Sequence, residues 1–470
     1  MKKKLLLLFL SVAFYGTAQQ LTLKKGIIID AIPVNDTIPE NFALYLPTSF
    51  DPSKKWPIVF VFDMKGRGKQ VLSMLRQAAE EQEYVLAASN NINDSITLSK
   101  NILISSRMFS TVYSILPIKK NRSYTAGFSG GARLASLMPT FVKKIKGVIS
   151  CGSAVANEAV LSSKNKFHFI GIVGNEDYNF LSMKNNQKVL DKLKFPNQLF
   201  VFDGGKKWPE SSYLAKAMEI FTLSAMNSGI EPRNDAFISN TYKTNLGEVS
   251  ALLTSGKALR ADKRLTEMTG IYRNFKNVDS LKESTKTLRK TKLFRSNKRS
   301  QNATFFKENL IKDDYSYYLE EDVLSYNYNN LGWWKYQMEE LDKYEKGSNL
   351  YEKQMGRRLK SFVNDLIADN IDIVKAPSAV DEEALLFLWM LNTITDAKNK
   401  SPYLKIISLS SKVEDYGTAL FYLEELLKTG YTNTDELYAL ENTALFRITP
   451  EFNEIVAKYL KDARYETKDE

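Results

Sequence analysis

Up to about residue 205 the chain alternates short apolar runs, rich in β-branched and aromatic residues, with longer amphipathic stretches; beyond about residue 235 the short runs almost vanish. The runs are Phe42 to Leu46, Ile58 to Phe62, Tyr84 to Ala88, Tyr124 to Gly127, Gly147 to Cys151, Phe167 to Val173 and Leu199 to Phe202. Between and after them, Lys69 to Glu81, Gly131 to Phe141, Met183 to Leu193 and Ser211 to Met226 carry apolar residues at helical spacing. Strands and helices in alternation predict an α/β domain, with a mostly parallel sheet covered by helices on both faces.

The segment Asn227 to Asn234, with Gly229 and Pro232, has linker composition. From Asp235 to the end the pattern is all-α. Its clearest part is a helix opening at Asp415 and closed by Gly430, a second over Asp435 to Phe446, and a third opened by Pro450 that carries Phe452, Ile455, Val456, Tyr459 and Leu460. These paired helices resemble tetratricopeptide repeats over about residues 400 to 460. Upstream, the pattern is that of an irregular helical array whose tryptophans, Trp333, Trp334 and Trp389, are expected in its core, with a ligand groove as the alternative. The resulting division is a signal peptide over 1–18, an N-terminal extension over 19–40, an α/β domain over 41–226, a linker over 227–234 and a helical domain over 235–470. A chain of 470 residues with 44% hydrophobic and 25% charged residues is long enough to bury two or more such cores.

Lys2 to Lys4, the apolar run Leu5 to Val12, and Gly16 and Ala18 make up a cleavable export signal, with no cysteine nearby to carry a lipid. No later window reaches the roughly 18 apolar residues of a membrane span. The expectation is a protein of the periplasm or the outside of the cell that does not span the membrane. Cys151 is alone, so no internal disulfide is available, and its apolar surroundings make it a buried thiol. The formal charge of +11 is spread along the chain; even the dense stretch Lys286 to Arg299 has the spacing of a solvated helix face, and no nucleic-acid motif accompanies it. One histidine, one cysteine and no clustered acids argue against a metal, and no cofactor is expected.

The chemistry-bearing motif is Gly127-Phe128-Ser129-Gly130-Gly131, a G-x-S-x-G directly after a strand and directly before a helix. Small residues on both sides let the backbone turn sharply and present the Ser129 hydroxyl at a helix N-terminus, with the Gly130 amide aimed where an oxyanion forms. Together with the strand Trp56 to Asp63, the strand ending in Gly174-Asn175-Glu176-Asp177, and Phe202-Asp203-Gly204-Gly205 before Trp208-Pro209, residues 41 to 226 resemble the α/β-hydrolase superfamily. The likeness is to its small-esterase, dienelactone-hydrolase and polyhydroxybutyrate-depolymerase-like members. That resemblance implies Asp177 as triad acid, with Glu176 a poorer candidate, and a second oxyanion amide from Met64 or Lys65.

Where the resemblance implies a histidine, after Gly204-Gly205, this chain has Lys206. A lysine is almost wholly protonated at pH 7 unless burial depresses it by several units, so Lys206 is expected to fill the imidazole's place and pair with Asp177. The one histidine, His168, lies inside a strand run upstream of Asp177 and reads as structural. Two functions follow. One is a noncatalytic binding or scaffold protein with a degenerate Ser-Asp-His triad, its helical domain docking a protein partner. The other is an exported serine esterase with an unconventional base, acting on an ester-bearing glycan, lipid or peptide-like substrate in the hydrolase pocket.

Overall fold

The protein is described by a computed structural model over residues 23–461 and 463–465, so the export signal lies outside the described residues. An eight-stranded sheet organises the N-terminal half: β1 (Ile28–Pro33), β2 (Asn41–Tyr45), β3 (Trp56–Phe62), β4 (Val85–Ser89), β5 (Ile118–Phe128), β6 (Ile145–Cys151), β7 (His168–Gly174) and β8 (Asn197–Phe202). Their order across the sheet is β1-β2-β4-β3-β5-β6-β7-β8. The six strands from β4 to β8 run parallel, while β2 is antiparallel to β4 and β1 to β2.

Continuous apolar runs are required by burial on both faces. On one face α1 (Gly68–Gln82) packs Val71, Leu72 and Leu75, and a later helix packs Leu214, Met218 and Phe221, against Val59, Val61, Ala126 and Ile149. On the other, α2 (Leu98–Ile115) and α3 (Gly130–Phe141) set Ile104, Met108, Leu134 and Met138 against Ile58, Phe60 and Val148. The remaining helices of this half are α4 (Phe180–Lys192) and α5 (Ser211–Asn227).

Two elements escaped the sequence pattern. The extension before residue 41 contributes β1, a half-exposed edge strand irregular between Ile29 and Ile32, where Ala31 takes a φ of 55°. Helix α2 is rich in serines that blur its apolar period; Ser105, Ser106 and Ser110 return their hydroxyls to the carbonyls of Asn101, Ile102 and Ser106 at 2.7, 2.8 and 3.0 Å.

After the 227–234 segment, which Glu231 ties to Lys119 and Arg122 at the base of β5 by bonds of 2.8 and 2.9 Å, the chain is helical. Helices α6 (Asp235–Thr254), α7 (Ala258–Tyr272) and α8 (Asp279–Lys290) share a core with Leu223 of α5. Next come α9 (Lys292–Ser325), α10 (Leu331–Lys346), α11 (Leu350–Lys375) and α12 (Glu382–Thr395), built around Trp334, Leu359 and Phe387. The last group is α13 (Ser401–Lys412), α14 (Tyr416–Lys428), α15 (Thr434–Ala439) and α16 (Pro450–Leu460). The helix expected to run to Phe446 stops at Ala439. Glu441 and Asn442 turn instead toward α13, where both bond the Ser408 hydroxyl, and Asn442 adopts a φ of 63° that no helix continues.

Candidate active site at the sheet edge

The turn between β5 and α3 is built by its glycines. A Cβ on Gly131 would stand 2.2 Å from the Phe62 carbonyl oxygen, and one on Gly127 would stand 2.3 Å from the Gly131 carbonyl carbon. Only backbone without side chains permits helix and strands to approach this closely. Ser129, between them, has φ 51° and ψ −118°, a strained conformation for a residue with a side chain, and its N–H donates to the Cys151 carbonyl at 2.9 Å. Its hydroxyl makes no capping bond to α3. Gly130 opens α3, so its N–H is one of the first-turn donors that have no acceptor within the helix. Met64 lies beside it, its Cγ 3.1 Å from where a Gly130 Cβ would stand, and its carbonyl accepts from Asp94 N–H at 3.0 Å.

Ser129, Gly130 and Lys206 line one cavity of about 420 Å³, together with Tyr178 and, from the helical domain, Asp365 and Asp369. Asp177 lies behind this wall, 1% exposed, with Oδ1 accepting from Asn179 N–H at 2.9 Å. Burial pushes its carboxyl up to about 6, against the opposing pull of that amide and the Lys206 charge.

Lys206 does not pair with Asp177 as expected. Its Nζ donates to the Tyr178 hydroxyl at 2.9 Å and to Asp365 Oδ1 at 2.7 Å, forming an ion pair across the two domains. The reason is access: Asp177 is enclosed beneath the sheet edge, whereas Asp365 on α11 reaches over it. Burial by itself would depress the Lys206 ammonium, but its bonds to Asp365 and Tyr178 outweigh that effect and hold its pKa above the ordinary lysine value.

Glu176, the poorer acid candidate, turns away to pair with Arg357. His168 begins β7, at the opposite end of the strand from Asp177, where its ring bonds Gln198 and packs edge-on against Phe221. Burial lowers its pKa to about 4. Cys151 is fully buried, and burial raises its thiol well above the usual range.

Sequence reasoning missed the helical domain's share of the site. Arg358 and Glu308, both essentially unexposed, form a buried ion pair at 2.6 Å, and Arg358 also donates to the Asn175 carbonyl at 2.6 Å. Lys312 donates to the Tyr178 carbonyl at 2.9 Å. These contacts clamp the β7 loop that carries Asp177. A signal was present: Glu308 falls in the row Thr304, Glu308, Tyr315, Leu319, and Arg358 beside Met355 and Leu359, so each charge sits on a face otherwise buried. Among the described residues, no group of His, Cys, Asp and Glu could hold a metal ion, and no helix is long and apolar enough to cross a membrane.

No model of a protein family matches the chain, and no curated protein matches it. Among solved structures, a fluorophosphonate-binding serine hydrolase of Staphylococcus aureus is similar at 12% identity, over 42% of this chain and 99% of that one, with a TM-score of 0.36. The esterase Est1E of Butyrivibrio proteoclasticus matches at 12% identity over 42% and 98% of the two chains, TM-score 0.34. An esterase of the archaeon Pyrobaculum calidifontis matches at 10% identity over 43% and 87%, TM-score 0.36. Likenesses this distant carry no chemistry to this chain, and the fold is read from the parallel sheet with its strained serine turn at the carboxyl edge of β5. The N-terminal half is an α/β-hydrolase-like domain, followed by a long helical region.

Proposed function

We propose that the protein is a noncatalytic binding or scaffold component of an exported assembly, in which the degenerate triad Ser129, Asp177 and Lys206 has become part of a domain junction. The observation that carries this reading is the position of the Lys206 ammonium between Tyr178 and Asp365. A general base must be neutral at the working pH and within reach of the proton it takes. Lys206 is engaged as a donor and held protonated by its partners. Without a base, catalysis falls to what an oxyanion hole and binding supply, about 10⁴-fold or more below a complete triad. The residues 1–18 supply the export signal in this reading, and the exposed faces of the helical domain supply the surface for a protein partner.

The strained conformation of Ser129 favours a second reading, an esterase with an unconventional base, because backbone strain clusters at working sites. Reaction of the purified protein with a fluorophosphonate probe and a short-chain ester separates the two. The scaffold reading expects neither labelling nor turnover in the wild type. It also expects turnover to appear in Lys206→His combined with Asp365→Ala, which frees the imidazole from the cross-domain carboxylate. Wild-type turnover abolished by Ser129→Ala would overturn it and establish the esterase.

A further inference from the structure

A second cavity, of about 580 Å³, lies between α4 and β8 on one side and α7, α9 and α11 on the other. It shares no lining residue with the Ser129 cavity. Its volume falls within the range of small-molecule sites. Much of its wall is apolar, from Phe180, Leu199, Val201, Leu259, Phe294 and Leu350.

The charges on the wall do not balance. Lys257 and Arg260 are taken by Asp203 at 2.9 and 2.6 Å, Lys263 by Glu267 at 3.7 Å, and the lining Asp262 by Arg289. Lys184 and Lys298 also line the cavity, and neither has a carboxylate partner among the described residues. Lys184 is the more deeply placed. Its Nζ donates to Gln301 Oε1 at 3.1 Å and stands 4.3 Å from the centre of the Phe305 ring. A partly buried ammonium without a counter-ion is costly, and proteins tolerate one mainly where something else completes it. Burial, joined by the positive charges of Lys298, Lys263, Lys188 and Arg358, brings its pKa down to about 7. An anion arriving there would meet those positive charges and reverse that shift.

We propose that this inter-domain cavity binds a small amphiphilic acid, its anionic group paired with Lys184 and its hydrocarbon part lying along Phe180, Leu259 and Phe294. The apolar wall excludes a simple inorganic anion as the preferred occupant, since such an ion would leave that surface without a partner. The ammonium groups of Lys184 and Lys298, without carboxylate partners, disfavour a neutral lipid for the opposite reason. Because the walls come from both domains, occupancy stabilises their docking, and it does so independently of Ser129.

The test is calorimetric titration of the full chain with decanoate below its micellar concentration, with decanol and inorganic phosphate as separate arms. Decanoate is expected to bind at one site, decanol about tenfold or more weakly, and phosphate to compete poorly, since an unmade bond to a charged group costs at least a tenfold in affinity. Lys184→Met should lower decanoate affinity by a similar factor and leave decanol unchanged. Leu259→Trp, which fills the cavity, should weaken both, and Ser129→Ala neither. The unliganded Lys184→Met protein should melt at or above the wild-type temperature, since it loses a partly buried cation that has no carboxylate partner. Absence of decanoate binding, equal binding by wild type and Lys184→Met, or phosphate competing as well as decanoate would overturn the proposal. A clearly lower melting temperature of unliganded Lys184→Met would also overturn it, by showing that the ammonium is already satisfied.

Discussion

The turn after β5 and the turn after β8 lie on the same edge of one sheet, yet they are held in different ways. The β5 turn is closed by its own neighbours: Gly127 and Gly131 touch, Gly131 lies on the Phe62 carbonyl, and Ser129 bonds the end of β6. The β8 turn is joined to its β7 neighbour, where Asn175 bonds Asp203 and the Gly204 N–H at 2.9 and 3.0 Å, and unlike the β5 turn it is also held from outside. Asp203 answers to Lys257, just before α7, and to Arg260 within it, and Lys206 to Asp365 of α11. The position of Ser129 is therefore set by local backbone geometry, and that of the Lys206 side chain by domain docking.

The largest expected effect is on the locally built turn. Gly131→Ala drives a Cβ into the Phe62 carbonyl, where backbone has nowhere to move, and should cost roughly 3 kcal/mol, the upper end of ordinary overpacking. Urea denaturation measures it; a loss below about 0.5 kcal/mol would mean that the turn relaxes and is not rigidly built.

Next is Asp177, in the loop after β7. Its folded pKa, about 6, lies above the unfolded reference near 4, so the native state binds the proton more tightly and stability falls as pH rises through that window. The sign is the reverse of a salt-bridged carboxylate. Asp177→Asn should raise stability at pH 7 by about 2–3 kcal/mol and flatten the profile between pH 4 and 6. An unchanged profile would mean that the carboxylate is better stabilised than its single amide bond suggests.

The smallest effect belongs to the turn held from outside. The Lys206 and Asp365 side chains remain 30% and 29% exposed, so solvent screens their pair, and Lys206→Met should cost under about 1 kcal/mol. A loss several times larger would make this pair, and not the buried bond from Arg358 to the Asn175 carbonyl, the main polar fastening between the domains.

The seven strands β2 to β8 were legible because each carries a short apolar run, continuous where the strand is buried on both faces as in β3, β4, β6 and β7. Strand β1 was not, since an edge strand with Asp30 facing out and Pro33 at its end lacks that signature. Ser129 and Gly130 were legible from glycine spacing, because the close approach the turn requires leaves no room for anything else. The partner of Lys206 was not, for Asp365 lies 159 residues away and nothing in the local pattern of α11 announces which loop it meets.

The sequence by itself determined the α/β order, the sharp serine turn and the absence of a histidine after Gly205, because each depends on residues close together in the chain. Only the tertiary structure decided that α11 lies over the sheet edge, that Lys206 answers to Asp365 while Asp177 stays enclosed, and that Lys184 faces an inter-domain cavity with no carboxylate partner. Those outcomes depend on which charges burial brings within hydrogen-bonding distance, and such pairings are set by the packing of whole helices against loops far away in sequence.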